Sequence, residues 1–172
     1  MRGKTKSAAR RGLRDEQGQA MVELALILPL LLILIFGVID FARVFNYKDQ
    51  ATQVANETAR WIIVNQLPNG NLSPSIGDYK AWAHNELVDT ELKSAAPTAN
   101  MKICFTDAAG VAKTTGIQAG DSVTVVVPGT LSPISFVSNK LGIPQFNFTG
   151  KATMRLELTP TNGSFGTGDS GC

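Results

Sequence analysis

The run from Leu24 to Ile39 is sixteen residues long and holds no charged side chain. Counted from Gln19 the apolar stretch measures 21 residues, about 31 Å as an α-helix, close to one hydrocarbon thickness. A chain of 172 residues has room for one modest domain plus appendages. The run therefore reads as a membrane segment, and the rest of the chain has to be arranged around it.

Charge around the run is lopsided. Residues 1–18 carry Arg2, Lys4, Lys6, Arg10, Arg11 and Arg14 against Asp15 and Glu16, whereas the remainder carries ten basic and twelve acidic side chains. A basic block beside a membrane segment stays cytoplasmic, which sends the C-terminal region across the membrane. A nucleic-acid-binding arm is the competing explanation of such a block. The adjoining apolar run and the lack of interleaved aromatics count against it. With no apolar run of its own, the segment 1–18 is expected to be a disordered leader. Inside the span only Glu23 ionises; at mid-bilayer an isolated carboxylate costs roughly 2.5–3.5 kcal/mol, but near the end of the span it reaches the interface. Pro29 removes one helical hydrogen bond, a kink that membrane helices tolerate.

Helical periodicity continues past the run. Ala51, Val54, Ala55, Thr58, Ala59 and Ile62 recur at steps of three and four, a stripe of mostly small residues on one face. Its partner is either the chain's own sheet or a neighbouring helix. Asp40 and Arg43, three apart, are placed for a solvated ion pair. Leu67-Pro68-Asn69-Gly70 closes the helix near residue 66. A short second helix starts after Ser75 or Asp78, with Tyr79, Trp82, Ala83, Leu87, Val88 and Leu92 on its apolar face and Trp82 as a packing residue. The period then becomes alternating. Met101, Ile103 and Phe105 against Lys102, Cys104 and Thr106 predict a half-buried strand. Residues 110–120 are a polar connection, and residues 122–127 form a strand ended by Pro128-Gly129. Residues 133–141 have space for one or two helical turns. Residues 146–158 predict the last strand, with Ala152, Met154, Leu156 and Leu158 inward and Gly150 marking a bulge.

These elements predict an α+β fold: a long N-terminal helix, transmembrane and then amphipathic, a short second helix and a small antiparallel sheet of about three strands. The expected divisions are a basic cytoplasmic leader over 1–18 and a helix over 19–66, with its membrane part at about 19–41. An extracytoplasmic domain over 67–159 and a flexible tail over 160–172 follow.

Catalytic chemistry finds no foothold. His84 is the sole imidazole, expected on the solvent side of the second helix, and no phosphate-cradling Gly-x-x-x-x-Gly-Lys occurs. Asp89 and Glu91 are two apart and, on a helix, would not face each other. The expectation is no enzyme, no cofactor, no metal, no nucleic acid and no small-molecule substrate. Cys104 and Cys172 allow one intramolecular disulfide, which would staple the tail onto the domain; free thiols or an intermolecular bond are the alternatives.

Three readings fit residues 1–42. A cleaved secretory signal wants a core of 7–15 residues and an A-x-A-like site, which Val38-Ile39-Asp40-Phe41-Ala42 does not supply. A plain anchor leaves Gly18 and Glu23 without a purpose. In the third, Gly18 before the run and Glu23 five residues later resemble the type IV prepilin class. That resemblance implies cleavage between Gly18 and Gln19 by a prepilin peptidase, and neutralisation of a neighbouring subunit's new amino terminus by Glu23. The wider sequence, Gly18-Gln19-Ala20-Met21-Val22-Glu23-Leu24-Ala25 and Gly37-Val38-Ile39-Asp40-Phe41-Ala42-Arg43-Val44-Phe45, is similar to the TadE-like family of the tight-adherence (Flp-type) pilus. Ala55-Asn56-Glu57-Thr58-Ala59-Arg60-Trp61 continues the likeness, and Ala152-Thr153-Met154-Arg155-Leu156-Glu157 resembles that family's closing strand.

The family resemblance implies a pilin-like minor pseudopilin that crosses the bacterial cytoplasmic membrane once, with its C-terminal domain outside. It implies other pilin subunits and the inner-membrane assembly platform as partners, and a place in the extracellular pilus after processing. The alternative is an uncleaved, membrane-anchored binding or adhesion protein.

Overall fold

A computed structural model describes residues 8–133, 142, 144–159 and 168–169, with side chains from Gly18 onward. Its first element is a single helix, α1 (Ala8–Ile63). The helix starts ahead of the expected Gln19, so the part of the leader from Ala8 onward is helical rather than disordered. Ala8, Ala9, Arg10, Arg11, Leu13 and Arg14 are strong helix formers, and a nucleated apolar helix propagates back through them. From Gly18 to Ile39 every side chain is exposed. The stretch is long and apolar enough to cross a membrane, and none of its most apolar window is buried.

Beyond Asp40 the same helix becomes the core helix of a domain. Ala51, Val54, Ala55, Thr58, Ala59 and Ile62 are all buried, and α1 packs on the sheet. The stripe therefore works within the subunit. Its small residues let the sheet come very close, so that a Cβ added at Gly150 would fall on the main chain of Ala51 and Thr52. The one hydroxyl in the stripe, Thr58 Oγ1, donates to the Val54 carbonyl at 2.7 Å and is not left unsatisfied. α1 ends a turn early at Ile63, where Asn65 adopts φ 54°, a left-handed conformation that asparagine tolerates.

Ser75 caps α2 (Ile76–Glu86) in a capping box with Asp78. The expected second helix is two pieces. Leu87 is extended, and α3 (Thr90–Ala95) starts afresh after Asp89. The break leaves Val88 exposed (82 %) rather than on the apolar face. His84 ties the pieces together through Nε2 and the Lys93 carbonyl at 3.1 Å, so it is structural rather than an idle surface residue.

The sheet consists of β1 (Lys102–Thr106), β2 (Ala112–Lys113), β3 (Ser122–Leu131) and β4 (Phe146–Arg155), in the antiparallel order β2-β1-β3-β4. The α+β layout is the expected one, with a two-residue edge strand added inside the polar connection. Three local expectations are corrected. β3 runs through Pro128 to Leu131, because β1 pairs only as far as Val126 and the missing N–H breaks no ladder on that side. Gly150 sits in unbroken register opposite Val127; it marks close helix approach, not a bulge. β4 stops at Arg155, where Leu156 hydrogen-bonds Asp121 and Gly120 through its main chain and Leu158 is left exposed. The helical turns expected within 133–141 fall on residues outside those described, Pro133 apart.

Candidate functional site

The residues singled out for processing and assembly lie on the exposed face of α1. Gln19 Nε2 donates to Glu23 Oε1 at 3.3 Å, one turn apart. A Cβ at Gly18 would meet nothing within 4 Å. Packing inside the subunit therefore does not require glycine there, and a helix-interior glycine costs about 1 kcal/mol relative to alanine.

A second constellation sits where the apolar span meets the domain. Arg43 Nη2 lies 2.6 Å from both carboxylate oxygens of Glu91 on α3, and Tyr47 Oη donates to Glu91 Oε2 at 2.9 Å. The guanidinium also lies 5.8 Å from the Tyr47 ring centroid, within cation–π range. Asp40, 4 % exposed, approaches Arg43 Nη1 at 3.7 Å. The expected solvated pair is thus a minor limb of a partly buried clamp that fastens α3 to the helix just above the apolar span. Hydrogen bonds from Arg43 and then Tyr47 hold the Glu91 carboxyl below the usual carboxylate range. Burial, together with the bond to Glu91, pushes the Tyr47 phenol up. Glu91 and Tyr47 escaped sequence reasoning. Glu91 is 48 residues from Arg43, and no local spacing points from one to the other.

Cys104 lies on β1 and is buried (3 %), although strand alternation turns it away from α1. Beside it run two residues of the C-terminal segment. Asp169 N–H donates to the Ile103 carbonyl at 3.0 Å, Ile103 N–H donates to Asp169 Oδ2 at 2.8 Å, and Lys80 Nζ meets the same carboxylate at 2.7 Å. Gly168 N–H donates to the Thr114 carbonyl. Cys172 itself lies outside the described residues.

Residues 18–60 match a family model described as TadE-like protein. No curated protein and no solved structure matches the chain.

Proposed function

We propose, from the match of residues 18–60 to the TadE-like family model and from the exposed apolar helix that those residues begin, that this chain is a pilus-associated protein, a minor pseudopilin of a tight-adherence pilus. In this reading it is a structural, non-enzymatic subunit. It is held by one pass in the cytoplasmic membrane with its α+β domain outside, and passes into the filament with other pilins through the inner-membrane platform. The observation that carries the reading is the continuity of α1: one helix supplies an exposed apolar span at Gly18–Ile39 and the buried core stripe Ala51–Ile62. A domain mounted rigidly on its own membrane helix can be lifted from the bilayer and stacked as a unit. A domain on a flexible tether cannot transmit such register.

Gly18 and Gln19 flank the scissile bond in this scheme, and Glu23 is the assembly carboxylate. A buried carboxylate without a partner is strongly unfavourable, so Glu23 selects the register in which a neighbour's new amino group meets it. Co-expression with a prepilin peptidase is expected to shorten the chain by 18 residues, and Gly18→Ala to block this without harming the fold. Glu23→Ala is expected to insert normally and to lose co-purification with partner pilins. An intact N-terminus under co-expression rules out processing and leaves the uncleaved anchor. Undiminished co-purification of the Glu23 variant removes the register role.

A further inference from the structure

A groove of about 840 Å³ opens where the end of α1 meets α2, and Glu57, Arg60, Trp61, Trp82, Glu86 and Glu157 are among its lining residues. The two indoles meet edge to face at 6.4 Å. Three carboxylates against one guanidinium, set around aromatic rings, make a surface suited to cations. A smaller lobe continues down α1 past Gln53 and Gln50 and shares Glu57 and Glu86 with the first. There Gln50 Oε1 is buried without a hydrogen-bond partner among the described residues.

The other layer of the domain carries the complement. β4 turns Lys151 and Arg155 outward on the face away from α1, both exposed and four residues apart, roughly 13 Å along a strand. Among the described residues neither forms an ion pair, and nor do Glu57, Glu86 and Glu157. The heights also agree. Gly150 rests on Ala51, and Glu157 shares the groove with Glu57 and Arg60, so β4 climbs alongside α1 in the same direction. Lys151 therefore stands level with the lower lobe and Arg155 level with the upper one.

We propose that the groove of one subunit receives the Lys151–Arg155 row of a second copy anchored in the same membrane. The proposal rests on the pseudopilin reading only in that the copies share one orientation, which keeps the two surfaces level. Groove and row lie on opposite layers, so the contact is heterologous and extends from copy to copy instead of closing into a dimer.

Trp61 and Trp82 are the chain's only tryptophans, so intrinsic fluorescence reports on this groove. The full chain is reconstituted in liposomes at rising protein-to-lipid ratio. A progressive fluorescence shift is expected, weakened by added salt. Lys151→Glu/Arg155→Glu should abolish it, as should Glu57→Lys/Glu86→Lys, and mixing the two charge-reversed proteins should restore it. Misfolded variants cannot produce that rescue. No shift in the native chain, or a shift that survives both reversals, overturns the contact. So does a shift that appears only when a different pilin is added. The N-terminus is determined on the same preparations after peptidase treatment. A cleaved chain without the shift refutes the contact alone, and an uncleaved chain with a rescued shift refutes processing alone.

Discussion

Replacing Gly150 by alanine tests whether the stripe on α1 belongs to its own sheet. The added Cβ would land on the carbonyl group of Ala51 and the amide nitrogen of Thr52. These are helix main-chain atoms, which cannot rotate aside as a side-chain tip can. The helix must back away from β4, which loosens the contacts of Ala51, Ala55 and Ala59, all 0 % exposed. Overpacking of a core costs about 1–3 kcal/mol, and a collision with main chain belongs at the upper end. About 3 kcal/mol in a domain of this size lowers the melting temperature by roughly 10–15 °C. The assay is thermal unfolding of the full chain in detergent, followed by tryptophan fluorescence, because both indoles lie in the domain and the apolar span contributes no signal. Gly18→Ala is the control and should melt no lower than the native protein, since a Cβ there meets nothing within 4 Å and alanine favours the helix. If Gly150→Ala melts within about 2 °C of the native chain, α1 is not seated on β4 as described, and the stripe must serve a neighbouring subunit.

Two further outcomes follow from the clamp and from the C-terminal segment. Glu91 is held below its ordinary pKa, so its stabilising effect is present above the unfolded value near 4.3 and disappears as pH falls through the lower folded one. Glu91→Gln should melt below the native protein at neutral pH and converge with it on acidification. The carboxylate is 48 % exposed, so the neutral-pH gap should not exceed about 1 kcal/mol; a gap that widens in acid contradicts the clamp. The disulfide between Cys104 and Cys172 remains a proposal, supported by Asp169 bonding to Ile103: three further residues span about 10 Å at most, enough to return to β1. Non-reducing mass spectrometry of peptides should show the linked pair, and alkylation of both thiols in the native protein would exclude it.

What was legible in the sequence is what local rules govern. The spacing from Ala51 to Ile62 gave the buried face of α1 because side chains three and four apart share a helical face, and the start of α2, legible as Ser75 or Asp78, falls at Ser75 because its hydroxyl reaches the amide of Asp78 at N3. What was illegible has its cause elsewhere in the chain. Gly150 in a strand fits a bulge or a close approach equally well, and only the position of Ala51 decides between them. Pro128 ends a strand only if a neighbour needs its N–H, and β1 stops short of it. Glu91 on a solvent-facing α3 is unremarkable until the break at Leu87 turns it toward Arg43. Gly18 and Glu23 invert this pattern. They stand out through resemblance, and among the described residues a Cβ at Gly18 would meet nothing within 4 Å and Glu23 has its hydrogen bond from Gln19 one turn away. A glycine that weakens its helix without a packing return among the described residues, and a carboxylate at the end of an apolar span, are what the proposed processing and assembly roles would explain. The same reasoning applies to the acidic groove beside Trp61 and Trp82 and to the cations on β4. Charges that form no ion pair among the described residues of one copy are the ones whose partners should be sought in the next.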